Sequence, residues 1–389
     1  MIIYNARILT MEDVDIECGY VQIEDGKITA IGDMDNAPKV TSSDINAMNN
    51  TLLPGFIDAH CHLGMWEDSI GFEGDDGNEE SDPCTPHMRA LDAINPADRC
   101  FNEALEAGIT TVMTGPGSAN PIGGAWVAMK TSGICIDDMV MLSPSAMKFA
   151  LGENPKSVYN SKNLSPVTRM ATVAIIRENL IKAKKYLKDT ENYEKDPDEY
   201  DEPEYDIKSE ALVPVLKREL PAHFHCHRSD DIFTAIRLSK EFDLDYVLIH
   251  ATEGHMISDS LGQNNVKAIV GPLICDRSKP ELKGLDCKNA AALYDKGVEF
   301  AICTDHPVIP VQYLPISAGI AVRGGLDYDE ALRAITINPA RICNIDNRVG
   351  SIAIGKDADL LIFDTDPLSP YAIPKLVMVD GEIVRNDID

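Results

Sequence analysis

Two textures of apolar and polar positions divide the chain. Near its start, MIIYNARILT and GYVQIEDGKITAIG alternate over short distances, and the EDGKI turn between two β-like runs predicts a hairpin. Near its end, GSIAIGKDADLLIFD and PKLVMVDGEIVRN repeat that texture, with DGE as a second hairpin signal. The pattern predicts that residues 1–50 and 348–389 together build one small β-sandwich domain.

Between these ends the texture changes. From Leu52 to Ile345, apolar runs alternate with helical stretches: GFIDAH, GITTVMT, WVAMKT, SAMKFALG, AHFHCH, DYVLIHAT, VKAIVGPLI and VEFAICTD. DIFTAIRLSKEFDL and NAAALYDKGV carry helical spacing, and DRCFNEALEAG ends on Gly108, a natural C-cap. Strand–helix alternation favours a parallel sheet, and eight such units favour a closed (β/α)8 TIM-like barrel over residues 51–347 in an α/β chain. Runs three and four are poorly separated by a helix.

Composition narrows the class. With 44% hydrophobic and 25% charged residues the chain can bury a sizeable core, so disorder is not the default. A net charge of -28 and a pI near 4.6 argue against nucleic acid or an anionic membrane surface as partner. Part of that charge lies in Lys188 to Asp206, KDTENYEKDPDEYDEPEYD, whose composition predicts a solvated loop. No basic, then apolar, leader opens the chain and no run of about 18 apolar residues occurs, so a cytoplasmic protein is expected. The ten cysteines form no C-x-x-C pair, and Cys61, Cys226 and Cys303 fall in strand-like cores, which predicts reduced, buried thiols.

In an α/β barrel the chemistry gathers where strands end. Run one ends on His60 and His62, run five holds His223, His225 and His227, run six ends on His250 and run eight on Asp305. Residues i and i+2 of a strand share a face, so His60 and His62 present both imidazoles to one centre. The chain has only nine histidines, and this concentration of imidazole and carboxylate suits zinc, with manganese or iron as substitutes. Run four adds Lys148. A protonated amine cannot bind a metal, but a carbamate made from carbon dioxide turns it into an anionic oxygen donor; Lys156 is a rival for that position. The Gly-rich GPGSANPIGGAWVAMKTSG fits no phosphate-binding pattern and predicts a long loop over the barrel mouth.

The string LPGFIDAHCHL, followed by HCHR, IHATEGH, TDHP and INPARICNIDNRVGSIAIGKDADLLIFD, resembles the amidohydrolase superfamily over nearly the whole chain. It is most similar to the imidazolonepropionase-like and metal-dependent dipeptidase-like branch. The resemblance implies a distorted barrel with one or two divalent ions that hydrolyses carbon–nitrogen bonds. Residue by residue, it implies His60, His62, His225, His250 and Asp305 as metal ligands, Lys148 as a carboxylated bridge, and Asp305 as the acid/base acting on a metal-activated water. His227 stands as a substrate contact, as do His306, Arg228 and Lys130; Arg228 either forks onto a substrate carboxylate or pairs with Asp230 or Asp231. The expected partner is a small-molecule substrate, and the resemblance implies a homo-oligomer. The competing enzyme reading is a mononuclear deaminase of a heterocyclic amidine, against which HCHR lacks a neighbouring glutamate. A non-catalytic scaffold is the reading from another class, and the filled ligand positions oppose it.

Overall fold

The computed structural model describes residues 1–68 and 70–388. Both chain ends enter one sheet, built from β1 (Ile2–Ile8), β2 (Ile16–Glu24), β3 (Lys27–Asp33), β4 (Ile45–Asn46) and β5 (Thr51–Pro54) of the first part. The barrel strands β6 to β13 follow, and the end of the chain returns β14 (Leu360–Phe363), β15 (Leu376–Val379) and β16 (Glu382–Asn386) to the first sheet. Its order is β16-β15-β14-β5-β1-β2-β3, with β4 beside β1. Because β5 pairs with β14, the chain crosses into the barrel at Gly55, a little beyond the expected boundary at residue 50.

Both expected hairpins form, and for one reason. Asp25 and Gly26 have φ of 49° and 75°, and Asp380 and Gly381 have φ of 49° and 79°, the left-handed pair that a two-residue turn needs. The two turns also touch. A Cβ on Gly26 would stand 2.7 Å from the Asp380 carbonyl oxygen, so this contact admits only glycine. The sheet rolls over a core that includes Ile3, Val21, Ile28, Leu360 and Met378, closed by Ile28 N–H donating to Lys356 O and Ala358 N–H to Gly26 O.

All eight interior runs are strands: β6 (Phe56–Cys61), β7 (Ile109–Thr114), β8 (Ile122–Lys130), β9 (Val140–Ala150), β10 (Ala222–Cys226), β11 (Tyr246–His250), β12 (Lys267–Val270) and β13 (Glu299–Ile302). They pair in sequence order. Seven run parallel, but β8 is antiparallel to both neighbours. A parallel neighbour needs a crossover of about a dozen residues or more. Residues 115–121 and 131–139 are too short for one, so the chain reverses instead. Most of the Gly-rich stretch is therefore strand β8, and only residues 115–121 lie at the mouth. The acidic run also departs from expectation, because the helix Arg169–Lys195 continues through its first part.

Between β13 and β6 the barrel is closed by a side chain. The buried Asp58 carboxylate accepts from Thr304 N–H at 3.2 Å and from the Thr304 hydroxyl, while Asp305 N–H donates to His60 O at 3.1 Å and His62 N–H to His306 O at 2.9 Å. Burial pushes the Asp58 carboxyl up to about 7. These bonds carry His60 of β6 and His62 just beyond it against the end of β13, which puts the first and eighth barrel strands at one site.

Candidate metal centre

Two groups of donor atoms face each other at the C-terminal end of the parallel strands. In one, Nε2 of His60 and of His62 lie 3.6 and 3.3 Å from Asp305 Oδ1. In the other, one nitrogen each from His225, His227 and His250 converges; within either group the donors lie inside 4.8 Å of one another. His60 and His250 meet edge to face at 5.3 Å between ring centroids, so the groups adjoin.

Strand geometry explains these placements, with two exceptions. Period-two alternation sends His223, His225 and His227 inward while Phe224 and Cys226 join the outer core. On β11, Val247 and Ile249 already fill the barrel interior, so strict alternation would turn His250 away. Left-handed backbone at His250 (φ 70°) and Ala251 (φ 40°) breaks the alternation, and Asp305 has φ 56°. Such backbone is costly outside glycine and concentrates at functional sites.

The outer partners fix which ring nitrogen faces the centre. His62 Nδ1 lies 2.6 Å from Gly115 O and His250 Nδ1 lies 2.7 Å from Gly271 O. A carbonyl only accepts, so both Nδ1 atoms carry the proton and both Nε2 lone pairs are left for an ion. His227 Nδ1 meets the Thr252 hydroxyl at 2.7 Å. Burial holds His60, His225 and His227 well below the ordinary imidazole range, and takes His250 down to about 4. Neutral imidazole is the metal-binding form. Burial works to raise the Asp305 carboxyl, but His250, His62 and Lys148 beside it hold it below its usual value.

Lys148 is fully buried, its Nζ 3.3 Å from His60 Nε2 and 4.9 Å from the centre of the Trp126 ring. Burial pushes its amine down to about 7. Trp126 stacks on His60 at 4.3 Å, walling that side of the site. His223 lies deeper, fully buried, with both ring nitrogens unpartnered among the described residues.

The substrate contacts expected from sequence fare differently. His227 stands among the second donor group. His306 is buried beside Asp305, its Nδ1 accepting Val311 N–H at 3.2 Å. Arg228 forks onto Asp230 at 3.0 and 2.8 Å and faces a separate cleft with Lys156 and Arg169. Arg228 and Lys156 therefore lie outside the cavity onto which the donor groups open. Lys130 lies at the opposite end of the barrel, because β8 runs backwards. There it bonds Asp357, Asp359 and Asp380 at 3.1, 2.7 and 3.0 Å, joining the barrel to the small sheet.

The donors open onto a cavity of about 690 Å³, lined by His62, His225, His227, Asp305, Trp66 and Lys279 among others. That volume suits a small molecule. Lys279 is the only lysine or arginine among the described lining residues, and it donates to Asn154 Oδ1 at 2.8 Å. Lys279, on the loop after β12, and Asn154, in the first turn of the helix Glu153–Ser161 after β9, carry no motif of their own, so sequence reading does not single them out.

The family follows from comparison. The Amidohydrolase family model matches residues 51–384, and the chain belongs to that family. It is similar to an amidohydrolase from Thermotoga maritima MSB8 of known structure, with 38% identity, a TM-score of 0.94 and 99% of each chain covered. Amidohydrolase tasK of Hapsidospora irregularis is 30% identical over 95% of this chain and 40% of its own length. An adenine deaminase of Listeria monocytogenes serotype 4b (strain F2365) is 24% identical over 99% of this chain and 57% of its own. The chain thus spans about half the length of these two relatives.

Proposed function

We propose that the protein is a metal-dependent hydrolase that cleaves an amide, cyclic amide or peptide-like carbon–nitrogen bond of a small molecule, with Asp305 as acid/base. One observation carries the reading: two adjoining groups of buried donors open onto a single cavity, with the Nδ1 atoms of His62 and His250 tied to carbonyls. Neutral imidazoles with a carboxylate fit a divalent ion, zinc first. His60, His62 and Asp305 would hold one ion; His225, His227 and His250 would hold another.

When bound, such ions supply Lewis acidity toward the scissile group and make water a better acid. The chain's residues do the rest. Asp305 accepts a proton from the attacking water on the carboxylate oxygen not turned to the two histidines and delivers it to the leaving nitrogen, so that water is added across the bond and an acid and an amine result. Trp126 and the surrounding apolar wall exclude bulk water. Lys148, with an amine near neutrality, has the free lone pair that attack on carbon dioxide requires; the new N–C bond forms as the amine loses a proton. The resulting carbamate puts anionic oxygen beside His60.

A second reading has its own support. Sequence offered no glutamate near the fifth strand, but Glu281 Oε1 lies 3.7 Å from His227 Nε2, and a relative is named an adenine deaminase. Deamination of a heterocyclic amidine is therefore the alternative. Zinc-loaded protein should be assayed against dipeptides, acyl amino acids and cyclic amides for new amine, and against aminopurines for ammonia. Turnover of the first set, abolished in Asp305→Asn, supports the proposal; turnover confined to the second replaces it.

A further inference from the structure

The second donor group has a neighbour that the proposed reaction leaves unused. Glu281 sits on the single turn Pro280–Leu282 between β12 and β13 and is 1% exposed. Its Oε2 accepts Glu153 N–H at 2.9 Å. Gly152 makes room for it, since a Cβ there would stand 2.8 Å from Oε2. Oε1 has no hydrogen-bond partner among the described residues, and it faces Nε2 of His227 at 3.7 Å and of His225 at 4.0 Å. Lys279 Nζ is 3.8 Å from the same oxygen but is bonded to Asn154.

A buried carboxylate oxygen with no donor is costly. His225 and His227, the two imidazoles that face Oε1, stand 4.0 and 3.7 Å away, beyond hydrogen-bond distance, so neither relieves that cost as placed. A cation among them relieves it at once. Donors about 2.0–2.1 Å from a tetrahedral ion stand roughly 3.4 Å apart; Oε1 stands 3.7 and 4.0 Å from two of the imidazoles and the three histidine donors lie inside 4.8 Å of one another, so the four groups have to draw together around the ion.

We propose that Glu281 is the fourth protein donor of a metal site formed with His225, His227 and His250. The proposal rests on the metal-dependent reading above and deepens it. Four protein donors close a tetrahedral coordination, so this site is complete without Lys148. The open position that water and substrate need then belongs to the group of His60, His62 and Asp305.

The test counts ions rather than turnover. Wild type and Glu281→Gln, purified without chelator, are dialysed against graded free zinc and analysed for metal, and parallel samples are loaded with cobalt(II) for visible spectra. The variant should lose one ion, or bind it at least about ten-fold more weakly, and lose the strong bands of one four-coordinate cobalt while keeping the other ion. Glu281→Asp keeps the charge on a shorter arm and should weaken the same site; it serves if the glutamine variant does not fold. Unchanged stoichiometry, affinity and spectrum in a wild type that does hold metal overturn the role of Glu281 alone. A wild type that takes up no divalent ion overturns both this inference and the functional reading beneath it.

Discussion

Lys130 holds the barrel to the small sheet, and its replacement by methionine tests that reading by calculation. The amine is buried against three carboxylates, and removing one partner of a buried pair costs about 3–5 kcal/mol. The structure sets where in that range the loss falls. Asp357 keeps Lys27 and Arg348, and Asp380 is half exposed, so water and other cations compensate both. Asp359 is left buried with one donor, the Asp380 N–H at 2.9 Å. The expected loss is therefore near the lower end, about 3 kcal/mol. Equilibrium unfolding in urea should show it, and Asp359→Asn in the Lys130→Met background should recover about 2 kcal/mol through coupling of the pair. The pH dependence has a definite sign. Burial already raises the Asp359 carboxyl, and without Lys130 it rises further, so the folded variant binds a proton the unfolded chain does not. The deficit should shrink as pH falls. A loss below about 1 kcal/mol, or one that grows in acid, would refute the reasoning.

Three further outcomes are expected. Asp305→Asn should keep its metal while turnover drops about 10²- to 10⁴-fold, the usual worth of an acid/base group; wild-type-like turnover would remove Asp305 from that role. Lys148→Ala, compared with wild type in bicarbonate, should lose metal from the His60 side while the Glu281 side stays loaded; unchanged content refutes the carbamate. In chelated protein kept free of carbon dioxide, Lys148 has a folded pKa near 7 against an ordinary 10.5, so the folded state binds fewer protons between those values. Stability should rise with pH across that window by up to about 1.4 kcal/mol per unit. Thermal melts of Lys148→Met should lack that slope, and an equal slope in both proteins would contradict the buried amine.

What was legible in the sequence follows from what is local. Each barrel strand announced itself as an apolar run, and His60, His62, His225, His227, His250 and Asp305 stood where those runs end. The direction of β8 depends on the shortness of two links rather than on its own pattern, so Lys130, read from sequence as a candidate substrate contact, lies at the far end of the barrel beside the small sheet. Arg228 was drawn away by Asp230, two residues on, a pairing the sequence already allowed. Glu281 and Lys279 lie after β12, far along the chain from β10, and the side-by-side pairing of β10, β11 and β12 brings them to His225 and His227. The inward turn of His250 rests on two left-handed residues that no apolar pattern encodes.

The most direct test is the divalent metal content of wild type and of His62→Ala, purified without chelator and reloaded with zinc. With one ion for each donor group, the account predicts about two per chain in wild type and about one in the variant. Protein that holds none after reloading, or a variant that holds as much as wild type, would contradict it.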